Sequence, residues 1–254
     1  MTTPPVFHLA PLPAADVFTL AGPEGRHAAT VRRLRVGERL DVTDGAGGLA
    51  HCEVTVARRD ELDCRVVGRT HLPEPTPRIV VVQALAKGDR GELAVEMLTE
   101  TGVDEIVPWP AARSVVRWEG ERGTRAHARW AATAAEAAKQ SRRARWPVVA
   151  EPARTTAVRD RLAAGGLALV LHEAASEPLA ALVAGRRPPG QPWPPVGEIV
   201  LVVGPEGGIA DEELAVFEKA GARTVRLSPT VLRTSTAGVA AAAVLLAATG
   251  RWDS

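Results

Sequence analysis

Residues 199–246 read IVLVVGPEGGIADEELAVFEKAGARTVRLSPTVLRTSTAGVAAAAVLL, and this stretch decides the fold. Ile199 to Val203 is an unbroken apolar run rich in β-branched side chains, as in a strand buried on both faces of a parallel sheet. It runs straight into Gly204-Pro205-Glu206-Gly207-Gly208, where glycines open backbone conformations that other residues reach only with strain. Asp211, Glu212 and Glu213 suit the positive end of a helix predicted to run to about Ala220, with Gly221 as its C-cap. A short strand over Thr224–Leu227 leads into Ser228-Pro229 and on to Leu232-Arg233-Thr234-Ser235-Thr236. An Ala-rich helix is predicted from Ala237 to Ala248. This alternation predicts an α/β fold whose two polar loops lie at the carboxyl ends of parallel strands, where such sheets bind ligands.

The same alternation continues upstream. Ile79–Leu85, Glu105–Pro108, Val148–Ala150 and Leu167–Leu171 read as strands, and Glu92–Thr101 as a helix ended by Gly102. Lys87-Gly88-Asp89-Arg90 reads as a loop, and a long helix is predicted from about Glu121 to Arg145. Arg186–Pro195 is a proline-rich excursion. In Leu72-Pro73-Glu74-Pro75-Thr76-Pro77 the alternate prolines make an extended, semi-rigid linker. Ahead of it, Val6–Leu9, Val17–Leu20, Arg39–Thr43, Leu49–Val56 and Glu61–Val67 are short strand runs separated by Asp-Gly and Gly-Gly turns, with one helix over Arg26–Leu34. That pattern predicts a small β-barrel. The expected division is a barrel over 1–72, a linker over 73–78 and an α/β domain over 79–254.

Composition narrows the function classes. The 254 residues carry a net charge of +1, so a nucleic-acid role has to rest on local clusters. Cys52 and Cys64 are the only cysteines, without a CxxC pair, and the histidines are scattered. No metal site is therefore expected, and the low cysteine count without a signal peptide points to a reducing, cytoplasmic setting. Ala237–Ala248 is the most apolar stretch, too short for the ~20 residues of a membrane helix. There is no GxGxxG after an early strand and no GxxxxGK[ST], which sets aside dinucleotide and P-loop folds. The basic clusters are two: Arg26, Arg32, Arg33 and Arg35, and then Lys139, Arg142, Arg143 and Arg145 before Trp146. Capping the helix dipole needs fewer cations than the second cluster holds, which points to contact with an RNA backbone.

Set in order, these motifs carry a resemblance. Gly204-Pro205-Glu206-Gly207-Gly208, with Leu232-Arg233-Thr234-x-Thr236-Ala237 at the head of an apolar terminal helix, resembles the SPOUT class of S-adenosylmethionine-dependent RNA methyltransferases. Within that class the chain is similar to the ribosomal RNA small subunit methyltransferase E family. The further blocks are Thr99-Glu100-x-Gly102-Val103 with Ile106 and Pro108, Arg113-Ser114, and Glu136-Ala137-Ala138-x-Gln140-Ser141-x-Arg143. Met97, Thr101, Ser228-Pro229 and Ser235 depart from the family pattern; at Ser235 a Glu is usual.

The resemblance implies a PUA-like first domain and a SPOUT-type α/β domain with a trefoil knot over about 199–248. It implies a homodimer through the C-terminal domain, and S-adenosyl-L-methionine as cofactor. Leu171 and Glu173 would line one wall of the cofactor pocket. Gly204, Pro205, Gly207, Gly208 and Ile209 would approach it from a second side, and Leu227, Ser228, Val231 and Leu232 would surround the adenine. The implied reaction is methylation of N3 of one uridine in 16S rRNA of the small ribosomal subunit. Uracil N3 carries a proton, so the site must accept it or stabilise the anion. Arg233 is the candidate stabiliser; Glu206 either takes the proton or braces its loop. Arg26, Arg32, Arg33, Arg113, Glu136, Gln140, Arg142 and Arg143 are the candidates to hold RNA. Two other readings stay open at this point: a SPOUT enzyme acting on a tRNA base or a ribose 2′-hydroxyl, and a non-catalytic RNA-binding assembly factor.

Overall fold

A computed structural model describes residues 3–164, 166–185 and 197–253, so the proline-rich Arg186–Pro195 stretch lies outside the described residues. The chain divides into two units, Met1–Glu74 with Ala138–Trp146, and Pro75–Ala137 with Pro147–Ser254. Residues 138–146, which the sequence reading places within 79–254, thus belong with the first unit.

The first unit holds β1 (Val6–His8), β2 (Val17–Leu20), α1 (Gly22–Arg26), β3 (Arg39–Thr43), β4 (Gly48–Ala57) and β5 (Leu62–His71). What the sequence reads as a barrel is, in hydrogen-bond terms, a five-stranded mixed sheet ordered β1-β3-β4-β5-β2. β1 runs parallel to β3 and the other pairs are antiparallel. Register shifts between β4 and β5 at His51/Cys52 and Val54/Val56 mark bulges, which increase local twist. Alternate residues point into a core of Phe7, Leu20, Leu40, Val42, Ala50, Cys52, Val54, Leu62 and Cys64. The helix expected at Arg26–Leu34 begins earlier, with Pro23 in its first turn, and widens into a π-helical turn over His27–Val31. It stops before Arg33, whose φ is +55°.

The second unit holds β6 (Arg78–Ala84), α2 (Arg90–Thr101), β7 (Glu105–Trp109), α3 (Gly120–Gln140), β8 (Val148–Val149), α4 (Thr155–Ala163) and β9 (Leu167–Leu171), followed by α5 (Leu179–Ala184), β10 (Glu198–Val203), α6 (Asp211–Lys219), β11 (Arg223–Val225) and α7 (Thr234–Ala248). Its six strands are ordered β11-β9-β10-β6-β7-β8, and every neighbouring pair is parallel. β6 and β10 are central, and their alternate side chains feed two cores. Ile79, Val81, Ile199, Leu201 and Val203 pack with Leu98, Leu179 and Leu245 on one face. Val80, Val82, Val200 and Val202 pack with Trp109, Leu162 and Phe217 on the other. The fully apolar strands of the sequence are apolar because helices cover both faces.

Several predicted boundaries move: α2 starts at Arg90 rather than Glu92, β5 runs on to His71 rather than Val67, and β11 stops at Val225 rather than Leu227. α7 begins at Thr234 rather than Ala237, with Arg233 as N-cap. α3 ends at Gln140 rather than Arg145, and only its last three residues, Ala138–Gln140, belong with the first unit. α4 and α5 were not foreseen as helices.

Helix ends show a recurring pattern. In α2, α6 and α7 one N–H reaches back three residues and the next reaches back five: Gly102 to Thr99 and Val103 to Leu98, Gly221 to Glu218 and Ala222 to Phe217, Gly250 to Ala247 and Arg251 to Leu246. These are Schellman caps, and each has a glycine at the left-handed position, with φ of +112°, +93° and +73°. α3 ends in the same pattern, Arg142 to Lys139 and Arg143 to Ala138, but the left-handed residue is Arg142 at φ +57°.

The amino end of the parallel sheet is tied by charge. The Arg161 guanidinium pairs with both Glu105 and Glu198, and Arg78 donates to Glu105 at 3.0 Å. Arg251, just past α7, donates to Asp104 at 2.8 Å and to the Pro77 carbonyl at 2.8 Å.

Candidate active site

The opposite, carboxyl end of the sheet is open. Segments following β9, β10 and β11 surround a cavity of about 530 Å³, a volume ordinary for a small-molecule site. Three adjacent parallel strands ending together produce this geometry, since each chain must turn away into its own helix. The β10 turn needs its glycines. Gly208 has φ +73°, and a Cβ on Gly204 would stand 2.7 Å from the Ile209 side chain.

A buried polar chain fixes the turn to the terminal helix. Thr234, first residue of α7, donates to the Gly204 carbonyl at 2.7 Å and accepts from the Gln83 amide at 3.0 Å. Gln83 is fully buried on β6 and Thr234 is 6% exposed. A second brace is Glu213, 7% exposed, which accepts from the Ala112 N–H and the Thr155 hydroxyl, both at 2.9 Å, and from the Ala210 N–H at 3.4 Å. It joins the start of α6 to the segment carrying Arg113, whose own guanidinium donates to the Ile209 carbonyl at 3.3 Å.

Most of the candidate cofactor residues come together here. Leu171, Glu173, Gly204, Pro205, Gly208, Ile209, Leu227, Ser228, Val231 and Leu232 all line the cavity, as do Glu206 and Arg233. Gly207 does not. It faces Arg113 instead, and a Cβ there would lie 3.3 Å from that residue's Cβ and carbonyl oxygen. The Glu206 carboxylate accepts the Lys87 N–H at 3.2 Å, tying the β10 turn to the loop after β6. Ser228 and Thr230 share a hydroxyl contact of 2.9 Å, so the Ser-Pro turn organises itself.

Sequence reasoning missed Arg90, His172, Arg226, Thr230 and Thr234 in the lining. Arg90 and Arg226 were findable, since each follows the carboxyl end of a strand in a parallel sheet. Among the described residues, the side chains of Arg90, Arg226 and Arg233 have no carboxylate partner. The lining thus holds three arginines without a carboxylate partner beside two carboxylates, Glu173 and Glu206.

The RNA candidates fall into separate places. Arg113 stands beside the β10 turn and Glu136 is exposed on α3. In the first unit, Arg32, Gln140 and Arg142 line one small cleft of about 100 Å³ with Pro5, Val6, Phe7, His27 and Lys139. Arg26 and Arg33 are exposed but outside that lining. Arg143 is half-buried, and its carbonyl accepts the Trp146 indole N–H at 3.1 Å. Two cations of the second cluster serve the fold instead. Lys139 pairs with Glu24 at 3.0 Å, and Arg145 donates to the Leu72 carbonyl at 2.9 Å. Trp146 stacks on His8 with ring centroids 4.3 Å apart.

Comparison with known proteins agrees with this geometry. The family described as the RNA methyltransferase domain matches residues 73–246, and that described as the RNA methyltransferase PUA domain matches residues 20–67. The ribosomal RNA small subunit methyltransferase E of Mycobacterium tuberculosis is 46% identical over 253 residues, covering 98% of this chain and 93% of that protein. The protein of the same name from Bacillus subtilis is 28% identical over 88% of this chain and 87% of its own. Among solved structures, the ribosomal RNA small subunit methyltransferase E of Neisseria gonorrhoeae, bound to S-adenosyl methionine, superposes with a TM-score of 0.77 at 28% identity, covering 98% of each chain. A putative methyltransferase from Legionella pneumophila in complex with the same cofactor gives 0.79 at 25% identity, covering 97% and 98%. By its sequence over nearly its whole length and by its fold, this chain belongs to the ribosomal RNA small subunit methyltransferase E family.

Proposed function

We propose that this protein methylates N3 of one uridine in 16S rRNA of the small ribosomal subunit, with S-adenosyl-L-methionine as methyl donor. The observation that carries the reading is the cavity at the ends of β9, β10 and β11, in a chain of this family. Its residues fit the cofactor. Leu171, Leu227, Val231 and Leu232 offer apolar walls, while the main chain of the Gly204–Gly208 turn offers polar groups at close approach. Val231 is 81% exposed, the most exposed large hydrophobic among the described residues, and it stands at the cavity edge where a ligand would cover it.

When bound, the cofactor supplies an electrophilic methyl on a sulfonium; the protein supplies placement and charge. In the proposed reaction the N3 proton passes to solvent water, a bond forms between uracil N3 and the methyl carbon, and the carbon–sulfur bond breaks to release neutral S-adenosylhomocysteine. Arg233 is exposed at the rim and carries the cation that favours the ionised uracil. Glu206 holds the β10 turn through the Lys87 amide, which supports a bracing role. Pairing would occupy the N3 edge, so the target base must be unpaired or flipped.

Three further parts belong to this reading. The first is a knot over about 199–248, supported by α7 returning beneath the β10 turn through the Thr234–Gly204 bond. The second is a homodimer through the C-terminal domain. It is supported by one stripe of small side chains on a helix without a charged residue: Thr236 and Ala247, exposed, and Ala240 and Ala243, half-buried. The third is a cytoplasmic setting, which follows from a small-subunit RNA substrate.

Deletion of the gene tests the reading. The 16S rRNA should lose its N3-methyluridine in mass spectrometry and regain it on complementation. Full retention of that base would sink the proposal.

A further inference from the structure

Among the described residues four helices end in the same Schellman pattern, and three of them place glycine at the left-handed position. Only α3 places a long cationic side chain there, Arg142 at φ +57°. Local physics disfavours that choice, because a Cβ in this conformation crowds the following carbonyl and glycine avoids the clash. The second non-glycine residue with positive φ among the described residues is Arg33, beside Arg32. Backbone strain that persists points toward a function for the strained side chain.

What surrounds Arg142 gives that function a chemistry. The cleft it lines brings together two segments more than a hundred positions apart, the turn carrying His27 and Arg32 and the end of α3 carrying Gln140. Its inner side is Pro5, Val6 and Phe7, and Phe7 meets the His27 ring edge-on at 5.8 Å. Lys139 is engaged by Glu24, and Glu24 also accepts the His8 N–H at 3.2 Å, so that carboxylate is occupied. The side chains of Arg32, Gln140 and Arg142 make no hydrogen bond or ion pair within the described residues. Two guanidinium groups, donors only, and an amide that can turn its NH2 to the same side therefore line one opening. About 100 Å³ is room for roughly three waters, too little for a cofactor and suited to a single tetrahedral anion.

We propose that Arg32, Gln140 and Arg142 form a subsite in the first unit for one backbone phosphate of the bound RNA strand. The proposal rests on the RNA methyltransferase reading and adds to it a defined anchor outside the cofactor cavity. The arginine fork suits phosphate oxygens, and left-handed backbone turns the Arg142 side chain out of the helix path.

The test uses full-length protein and an unstructured single-stranded RNA oligonucleotide. Arg142→Gly should fold, with a melting temperature equal to or above that of the parent, because glycine suits φ +57°. It should bind the RNA about fivefold more weakly at 0.1 M salt, with a slope of log K against log salt smaller by about 0.7. Arg32→Gln should show the same loss, and Arg142→Lys should retain the slope. Calorimetric affinity for S-adenosylmethionine should be unchanged in all three, since the two cavities share no residue. A folded Arg142→Gly protein with the parental slope and affinity would overturn the subsite alone. If the parent protein shows no salt-dependent RNA binding, the RNA methyltransferase reading fails together with the subsite.

Discussion

Arg233 and Glu206 border the same cavity but differ in what they touch. Arg233 has no carboxylate partner among the described residues, whereas Glu206 already accepts the Lys87 amide. Removing the Arg233 charge should therefore act on the developing uracil anion. Arg233→Gln is expected to lower kcat by about 10²–10³, the cost of losing one stabilising donor, with the dissociation constant for S-adenosylmethionine within threefold of the parent. Steady-state methyl transfer and calorimetry check the two halves separately. Glu206→Gln keeps an acceptor oxygen for Lys87 and should leave kcat within about tenfold, whereas loss of a general base costs about 10²–10⁴. Of the three turn glycines expected to approach the cofactor, Gly204, Gly207 and Gly208, only Gly207 does not line the cavity. Its Cβ direction meets Arg113, so the sensitive position moves to Gly208, where φ is +73°. Gly208→Val should weaken cofactor binding at least tenfold in calorimetry.

At the scale of elements, the buried chain Gln83–Thr234–Gly204 couples the central strand, the terminal helix and the ligand turn. Thr234→Val removes both bonds, leaving the buried Gln83 amide with the Ala84 carbonyl alone and the half-buried Gly204 carbonyl without this donor. We expect a loss of about 1–3 kcal/mol in urea unfolding, with weaker cofactor binding. This chain explains what the sequence concealed. Strand β10, its glycine turn and α6 were legible because their signals are local: an apolar run, a glycine cluster, and acids at a helix start. The first turn of α7 was not, because the partners of the Thr234 hydroxyl lie 151 and 30 residues away. The end of α3 was hidden for the same reason. No breaker follows Gln140, and the turn is held by distant groups: the Ala144 carbonyl accepts the Thr43 hydroxyl at 2.9 Å, and the Trp146 N–H reaches the Gly45 carbonyl at 2.8 Å. Counting cations therefore overstated the basic patch, since Lys139 and Arg145 are used internally.

At the scale of the whole molecule, stability should fall on both sides of neutral pH. Burial pushes the Glu105 carboxyl up, but hydrogen bonds and charge from Arg161 and Arg78 outweigh it and hold the group below its ordinary 4.5. A depressed acid stabilises the fold above its unfolded value, and that contribution is lost as pH falls through the folded value. On the alkaline side, burial raises the Cys52 thiol from 9.0 to about 12 and the Cys64 thiol to about 11. The unfolded thiols ionise first, so stability should decline as pH climbs from 9 toward 11. Urea midpoints measured from pH 3 to 11 should trace a plateau with both limbs, and an alkaline limb unchanged in a Cys52→Ala, Cys64→Ala protein would contradict the thiol assignment. Dimerisation belongs to this scale too. If the proposed dimer forms through α7, the parent should sediment as a dimer and Ala243→Glu, at a half-buried position of that helix, as a monomer.

The most direct measurement incubates the purified protein with methyl-labelled S-adenosylmethionine and small ribosomal subunits lacking the modification, then digests the RNA for mass spectrometry. The account predicts label in N3-methyluridine of 16S rRNA, up to one per molecule, with one S-adenosylhomocysteine released for each methyl transferred. Label appearing on a ribose hydroxyl, on tRNA alone, or nowhere despite cofactor binding would contradict it.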